Sequence, residues 1–150
     1  MANGASVSIS ATVLPDKISK VISGSMTLDP SDANHKWYYK LTSVTNSSND
    51  LIGGYYSNYT ALADSTVPQT VDAADTVAFL LIQNHDTNGR SIYLNIAAGT
   101  AAAAAGNIYI GPGETWYARL TTTLVGSIHA ISSTSTVECT VIAMFDDVSV

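Results

Sequence analysis

Between Ser6 and Val13 the chain reads Ser-Val-Ser-Ile-Ser-Ala-Thr-Val, with an apolar residue at every second position. Successive side chains of an extended strand point to opposite faces. This spacing therefore puts Val7, Ile9, Ala11 and Val13 on one face and hydroxyls on the other. A helix would scatter the same residues around its circumference. The period recurs along the chain and limits the fold to one built from strands.

Pro15-Asp16 interrupts the first strand. A second runs from Val21 to Leu28 and is closed by Asp29-Pro30-Ser31-Asp32. A third, rich in aromatic residues, runs from Lys36 to Val44 and is stopped by the turn formers Asn46-Ser47-Ser48-Asn49-Asp50. Residues 51 to 75 show no clear period. Gly53, Gly54 and Pro68 predict a long irregular connection there, a kind that is uncommon unless functional or covered by a partner.

The second half is more regular. Thr76 to Gln83 is almost continuously apolar, the mark of a strand buried on both faces. Asn84 to Gly89 predicts a loop with an Asn-Gly hairpin signal. From Ser91 to Ile96 the chain alternates, with Ile92, Leu94 and Ile96 facing one way and Tyr93 and Asn95 the other. Asn107 to Ile110 is short. Gly111-Pro112-Gly113-Glu114 fits a type II turn, because Pro112 presets φ and Gly113 supplies a positive one. Thr115 to Leu120, Ser127 to Ser132 and Val137 to Phe145 complete the set. Ala101 to Ala105 is helix-prone in composition, but it is too short to nucleate alone and is bracketed by Gly99 and Gly106, so a loop of small residues is expected. The expected fold is all-β: a single-domain β-sandwich or jelly roll of about nine strands over residues 15–150, preceded by an extended N-terminal arm or edge strand over residues 1–14.

Composition narrows the function classes. Of 150 residues, 46% are hydrophobic and 12% charged, half of the ~25% usual in soluble domains. The polar surface is then Ser, Thr and Asn rather than Lys and Glu, and a surface without charge resembles an interface core. A net charge of −6 with six Lys and Arg gives no basic footprint for nucleic acid. No apolar stretch approaches the ~20 residues of a membrane helix. The opening Met1-Ala2-Asn3-Gly4 lacks a basic region followed by an apolar run, so no signal peptide is expected. Cys139 stands alone within an alternating strand and is expected as a buried, inert thiol.

No catalytic or cofactor-binding constellation stands above composition. His35 and His85 are placed in turns and His129 in a strand, without the spacing of a zinc site. A Ser-His-Asp triad needs no adjacency in sequence, but the Gly-x-Ser-x-Gly sign is missing, and Ile22-Ser23-Gly24-Ser25 lies inside a strand. Asn84-x-Asp86-x-Asn88-Gly89 has the opening spacing of a calcium loop, yet the twelfth position is Asn95 where a bidentate Glu is needed. A turn explains these residues. The acidic pairs Asp72/Asp75 and Asp146/Asp147 read as strand terminators rather than glycosidase carboxylates. No enzyme, cofactor or metal is expected. Trp37 and Tyr39 share one strand face and Tyr38 takes the other. Tyr55, Tyr56 and Tyr59 fall in the Gly-rich connection, where exposed tyrosines suit protein contact or stacking on sugars.

The order Val77-Ala78-Phe79-Leu80-Leu81-Ile82-Gln83-Asn84, Ser91 to Ile96, Ile108-Tyr109-Ile110-Gly111-Pro112-Gly113-Glu114-Thr115 and a closing Val137 to Ala143 resembles small β-sandwich structural proteins of tailed phages. The resemblance covers roughly residues 76 to 145. Within that group, length and composition are most similar to a capsid decoration, or cement, protein. The resemblance implies a homotrimer on the virion surface that bridges major capsid subunits, is made in the host cytoplasm and contacts neither nucleic acid nor membrane. Its interface candidates are Val7, Ile9, Val13, Tyr55, Tyr56 and Tyr59, with residues 5 to 13 able to add a strand to a neighbour. The alternative is a tail or fibre component, or a glycan-binding receptor module, using the tyrosine loop.

Overall fold

A computed structural model describes residues 4–13, 20–30, 35–53, 71–97, 99–103 and 107–146. The chain forms two compact units, Met1–Asp32 and Ala33–Val150. Among the described residues there is one 3₁₀ turn, Val125–Ser127, and no α-helix.

The first unit is an antiparallel ribbon of β1 (Ala5–Val13) and β2 (Lys20–Leu28). Nine residue pairs run from Ala5 opposite Leu28 to Val13 opposite Lys20. The extended arm expected over residues 1–14 therefore has a strand partner in its own chain. The division between units falls after Asp32 because β1 and β2, both alternating, satisfy each other's backbone groups.

The second unit holds β3 (His35–Val44), β4 (Asn49–Asp50), β5 (Thr76–Asn84), β6 (Ile92–Asn95), β7 (Ile108–Ile110), β8 (Thr115–Leu124), β9 (His129–Ser132) and β10 (Val137–Asp146). They form two four-stranded antiparallel sheets, β3-β10-β5-β8 and β4-β9-β6-β7. One core cluster draws on both sheets. Tyr38, Leu80, Ile82, Val141 and Phe145 come from the first, and Ile92, Leu94, Ile110 and Ala130 from the second. Fully burying each large apolar side chain stabilises the fold by ~1.5–3 kcal/mol relative to leaving it in water.

The Gly111–Glu114 turn has the expected geometry. Gly113 takes φ +74°, the Glu114 amide donates to the Gly111 carbonyl at 3.1 Å, and the Gly111 amide donates back to Glu114 Oε2 at 2.7 Å. Three expectations are corrected. The Asn88-Gly89 loop is no hairpin: β5 and β6 lie in different sheets, so the loop crosses the sandwich. His35 opens β3 opposite Asp146 rather than sitting in a turn. The turn formers after β3 include β4, because Asn49 and Asp50 meet Ala130 and His129 of β9.

Candidate functional site

The β5–β6 loop is built from its own side chains. Asn84 Oδ1 accepts the Asp86 amide at 2.8 Å, while Asn84 Nδ2 donates to the carbonyls of Arg90 and Ile110 at 3.0 and 3.3 Å. Asp86 Oδ1 accepts the amides of Asn88 and Arg90, each at 2.8 Å, and its Oδ2 accepts Arg90 Nε at 2.6 Å. Burial alone would raise the Asp86 pKa. The two amides and the guanidinium outweigh it and hold the carboxyl below its ordinary value. Asn84 Oδ1 and both Asp86 carboxylate oxygens, at two of the three positions of the calcium-loop spacing, are thus engaged by the loop itself. Among the described residues no group of three or more His, Cys, Asp or Glu is placed to hold a metal.

A Ser, a His and an Asp do converge elsewhere. Asp50 lies opposite His129 in the β4–β9 pairing, and His129 Nε2 sits 2.8 Å from Asp50 Oδ1. Its Nδ1 is 3.4 Å from Ser48 Oγ, which also accepts the Ala101 amide at 2.8 Å. A serine hydrolase needs more than this. Its carboxylate is covered, its nucleophile bonds the imidazole closely, and free amides await the oxyanion. Here the Asp50 side chain is 68% exposed, and the Ala101 amide is already engaged. The trio links β4, β9 and the loop after Gly99.

The other polar candidates are similarly absorbed. Cys139 is fully buried, and burial pushes its thiol up to about 12. His85 Nε2 lies 2.7 Å from Thr140 Oγ1. The Asp75 carboxylate accepts the Asp72 amide at 2.9 Å, closing a turn. Tyr55, Tyr56, Tyr59 and Asp147 lie outside the described residues, as does most of the connection carrying the tyrosines.

What remains is apolar surface. The ribbon register puts Val7, Ile9, Ala11 and Val13 on one face with Met26, Gly24 and Ile22 directly across. The other face pairs Ser6, Ser8 and Ser10 with Thr27, Ser25 and Ser23. Ile9, Val13 and Ile22 are 46%, 39% and 55% exposed. Sequence reasoning named Val7, Ile9 and Val13, and the ribbon joins them on one face. It missed Ile22 and Met26, whose alternation in β2 was the available signal.

A second apolar surface covers the side of the β3-β10-β5-β8 sheet that faces away from the core. Tyr39, Ile142, Leu81 and Tyr117 form one row across all four strands. Trp37, Met144 and Phe79 form the next, with Trp37 edge-on to Phe79 at 6.4 Å. The second row is buried, whereas Tyr39 and its neighbour on the same face, Leu41, are 46% and 59% exposed. Glu138, Ser43 and Gln83 supply a polar border.

No protein-family model matches the chain, and no match was found among curated proteins or solved structures.

Proposed function

We propose that the chain is a non-enzymatic virion structural protein that decorates a tailed-phage capsid and stabilises it by bridging major capsid subunits, acting as a homotrimer on the capsid surface. The observation that carries this reading is the ribbon. A two-stranded ribbon is marginally stable at best in water, yet this one exposes Ile9, Val13 and Ile22. Such an element is completed by another protein surface. Low charge supports the same reading, since 12% charged residues leave a surface suited to being covered.

The strand order is consistent with it. The pairs β3/β10, β4/β9, β5/β8 and β6/β7 are nested in sequence, as a jelly-roll winding requires, and jelly rolls are common in viral capsid proteins. The mechanism is mechanical. Each copy adds buried interface between neighbouring subunits, and copy number multiplies the gain against the pressure of packaged DNA.

The test mixes the purified protein with capsids that lack it. Binding that raises the capsid melting temperature, and that Ile9→Asp with Ile22→Asp abolishes, is the expected result. A protein that leaves capsids unbound and unaltered sinks the proposal, as does esterase activity lost in Ser48→Ala. Binding on a glycan array instead would favour the tail or receptor-binding alternative.

A further inference from the structure

We infer that the apolar face of the β1–β2 ribbon docks on the outward face of the β3-β10-β5-β8 sheet of a second copy of this chain, around Tyr39 and Leu41, each copy giving one ribbon and receiving one. The inference rests on the reading above only in taking the ribbon as an assembly element.

Three observations lead there. First, both surfaces are predominantly apolar, the sheet face being bordered by Arg119 across from Phe79 and by Glu138 across from Ser43. The ribbon face carries one charged residue, Lys20, opposite Val13 at its end. The sheet row Tyr39–Ile142–Leu81–Tyr117 carries none. Second, each leaves large apolar side chains exposed. Ile9 and Ile22 on one, and Tyr39 and Leu41 on the other, all stand between 46% and 59% exposed, and an apolar sheet face is stable when packed against another such layer.

Third, the areas choose the occupant. Nine residue pairs give a ribbon ~30 Å long and, with its side chains, ~10 Å wide, so one face offers on the order of 300 Å². A single docking event buries both surfaces, ~600 Å² in total, about half of what a specific interface needs. A foreign partner receiving one ribbon would be held by that contact alone. In a closed ring of identical chains, each copy makes two such contacts, and leaving the ring breaks ~1,200 Å². Reciprocal exchange between copies is the arrangement in which this ribbon reaches a stable interface.

The experiment uses the full chain. A photoreactive benzophenone replaces the Ile22 side chain, and ordinary and heavy-isotope-labelled chains are mixed, irradiated and mapped by mass spectrometry. Light scattering gives the assembly mass in parallel. The expected result is a mass that is a multiple of the protomer, with cross-links from β2 of one isotope to the Tyr39–Leu41 or Ile142 region of the other. Cross-links confined to single chains overturn the inference, as does a monomeric mass at micromolar concentration.

Leu41→Asp checks the receiving surface independently, because Leu41 lies outside the core cluster. It should raise the dissociation constant at least about tenfold with the melting temperature of the dilute protein unchanged. An unaltered assembly mass overturns the inference. A chain that stays monomeric yet binds capsids through Ile9 and Ile22 refutes this contact while sparing the proposed function. A chain that exchanges ribbons but ignores capsids supports this contact and refutes that function.

Discussion

Arg90 Nε lies 2.6 Å from Asp86 Oδ2, and the Asp86 side chain is only 2% exposed. The same carboxylate accepts two backbone amides, and the Arg90 guanidinium continues to the Thr136 carbonyl at 3.0 Å. One ionised group thus organises the crossing between sheets and ties it to the segment before β10.

This linkage makes stability depend on acid. Burial raises the Asp86 pKa, but the amides and Arg90 prevail and hold it below the ordinary carboxylate value. A carboxyl whose folded pKa is depressed stabilises fully above its unfolded value, and the benefit disappears as pH falls through the lower folded value. Urea unfolding of Asp86→Asn should therefore show lower stability than the parent at pH 7. The two curves should converge only as pH falls through the depressed folded value, where Asp86 becomes protonated in both states. Parallel curves down to the acid limit would contradict the assignment.

Gly126 marks a close approach. Its amide donates to the Ala73 carbonyl at 3.0 Å, and a Cβ there would come within 2.9 Å of Ala73 Cβ and 3.2 Å of Ala73 O. Gly126→Ala must push the 71–75 segment away and should cost ~1–3 kcal/mol. Gly53→Ala meets nothing within 4 Å and should change stability by no more than ~0.5 kcal/mol. Thermal melts of the two variants, compared side by side, read the contrast.

The Cys139 thiol is fully buried, with its pKa pushed up to about 12. Alkylation needs the thiolate and access to it, and the folded protein withholds both. Iodoacetamide at pH 8 should leave the native chain unlabelled and modify one site per chain once denaturant unfolds it. Rapid labelling without denaturant would mean that β10 opens far more readily than its central place between β3 and β5 implies.

The legible parts of the fold are those fixed by local chemistry. Alternation in β1, β2 and β6 marks the strands within a residue or two, because side-chain period two has no other structural solution. The Pro112-Gly113 step specifies its turn for the same reason. The continuous run Val77 to Ile82 announced a strand covered on both sides, and Phe79 and Leu80 are both buried, on opposite faces. Strand pairing was not legible. Asn88-Gly89 suits a hairpin, but the Asn84 and Asp86 hydrogen bonds bend the chain into the other sheet. The Ser48–His129 contact joins residues 81 positions apart, and neither residue carries a local mark of the other. The outward row of the first sheet comes from four strands distant in sequence, so it existed in the sequence only as unexplained hydrophobicity.

The His129 cluster yields the sharpest separation of structure from chemistry. Asp50 contacts His129 Nε2 at 2.8 Å, and Ser48 Oγ bridges His129 Nδ1 and the Ala101 amide. β4 contributes only two residues to its sheet, so these side-chain links add to a weak ladder. His129→Ala removes two of them and should cost about 1 kcal/mol, the net worth of a partly exposed hydrogen bond or two. The loss should be local. Hydrogen exchange should accelerate at the Leu51 amide, which donates to the Ile128 carbonyl at 3.2 Å, and at the Ala101 amide. The Val141 amide, on the central strand of the other sheet, should keep its protection. Neither the parent nor the variant should hydrolyse an activated ester above the rate of free imidazole. A parent activity that His129→Ala and Ser48→Ala both abolish would make the cluster catalytic and overturn its reading as a clasp on β4.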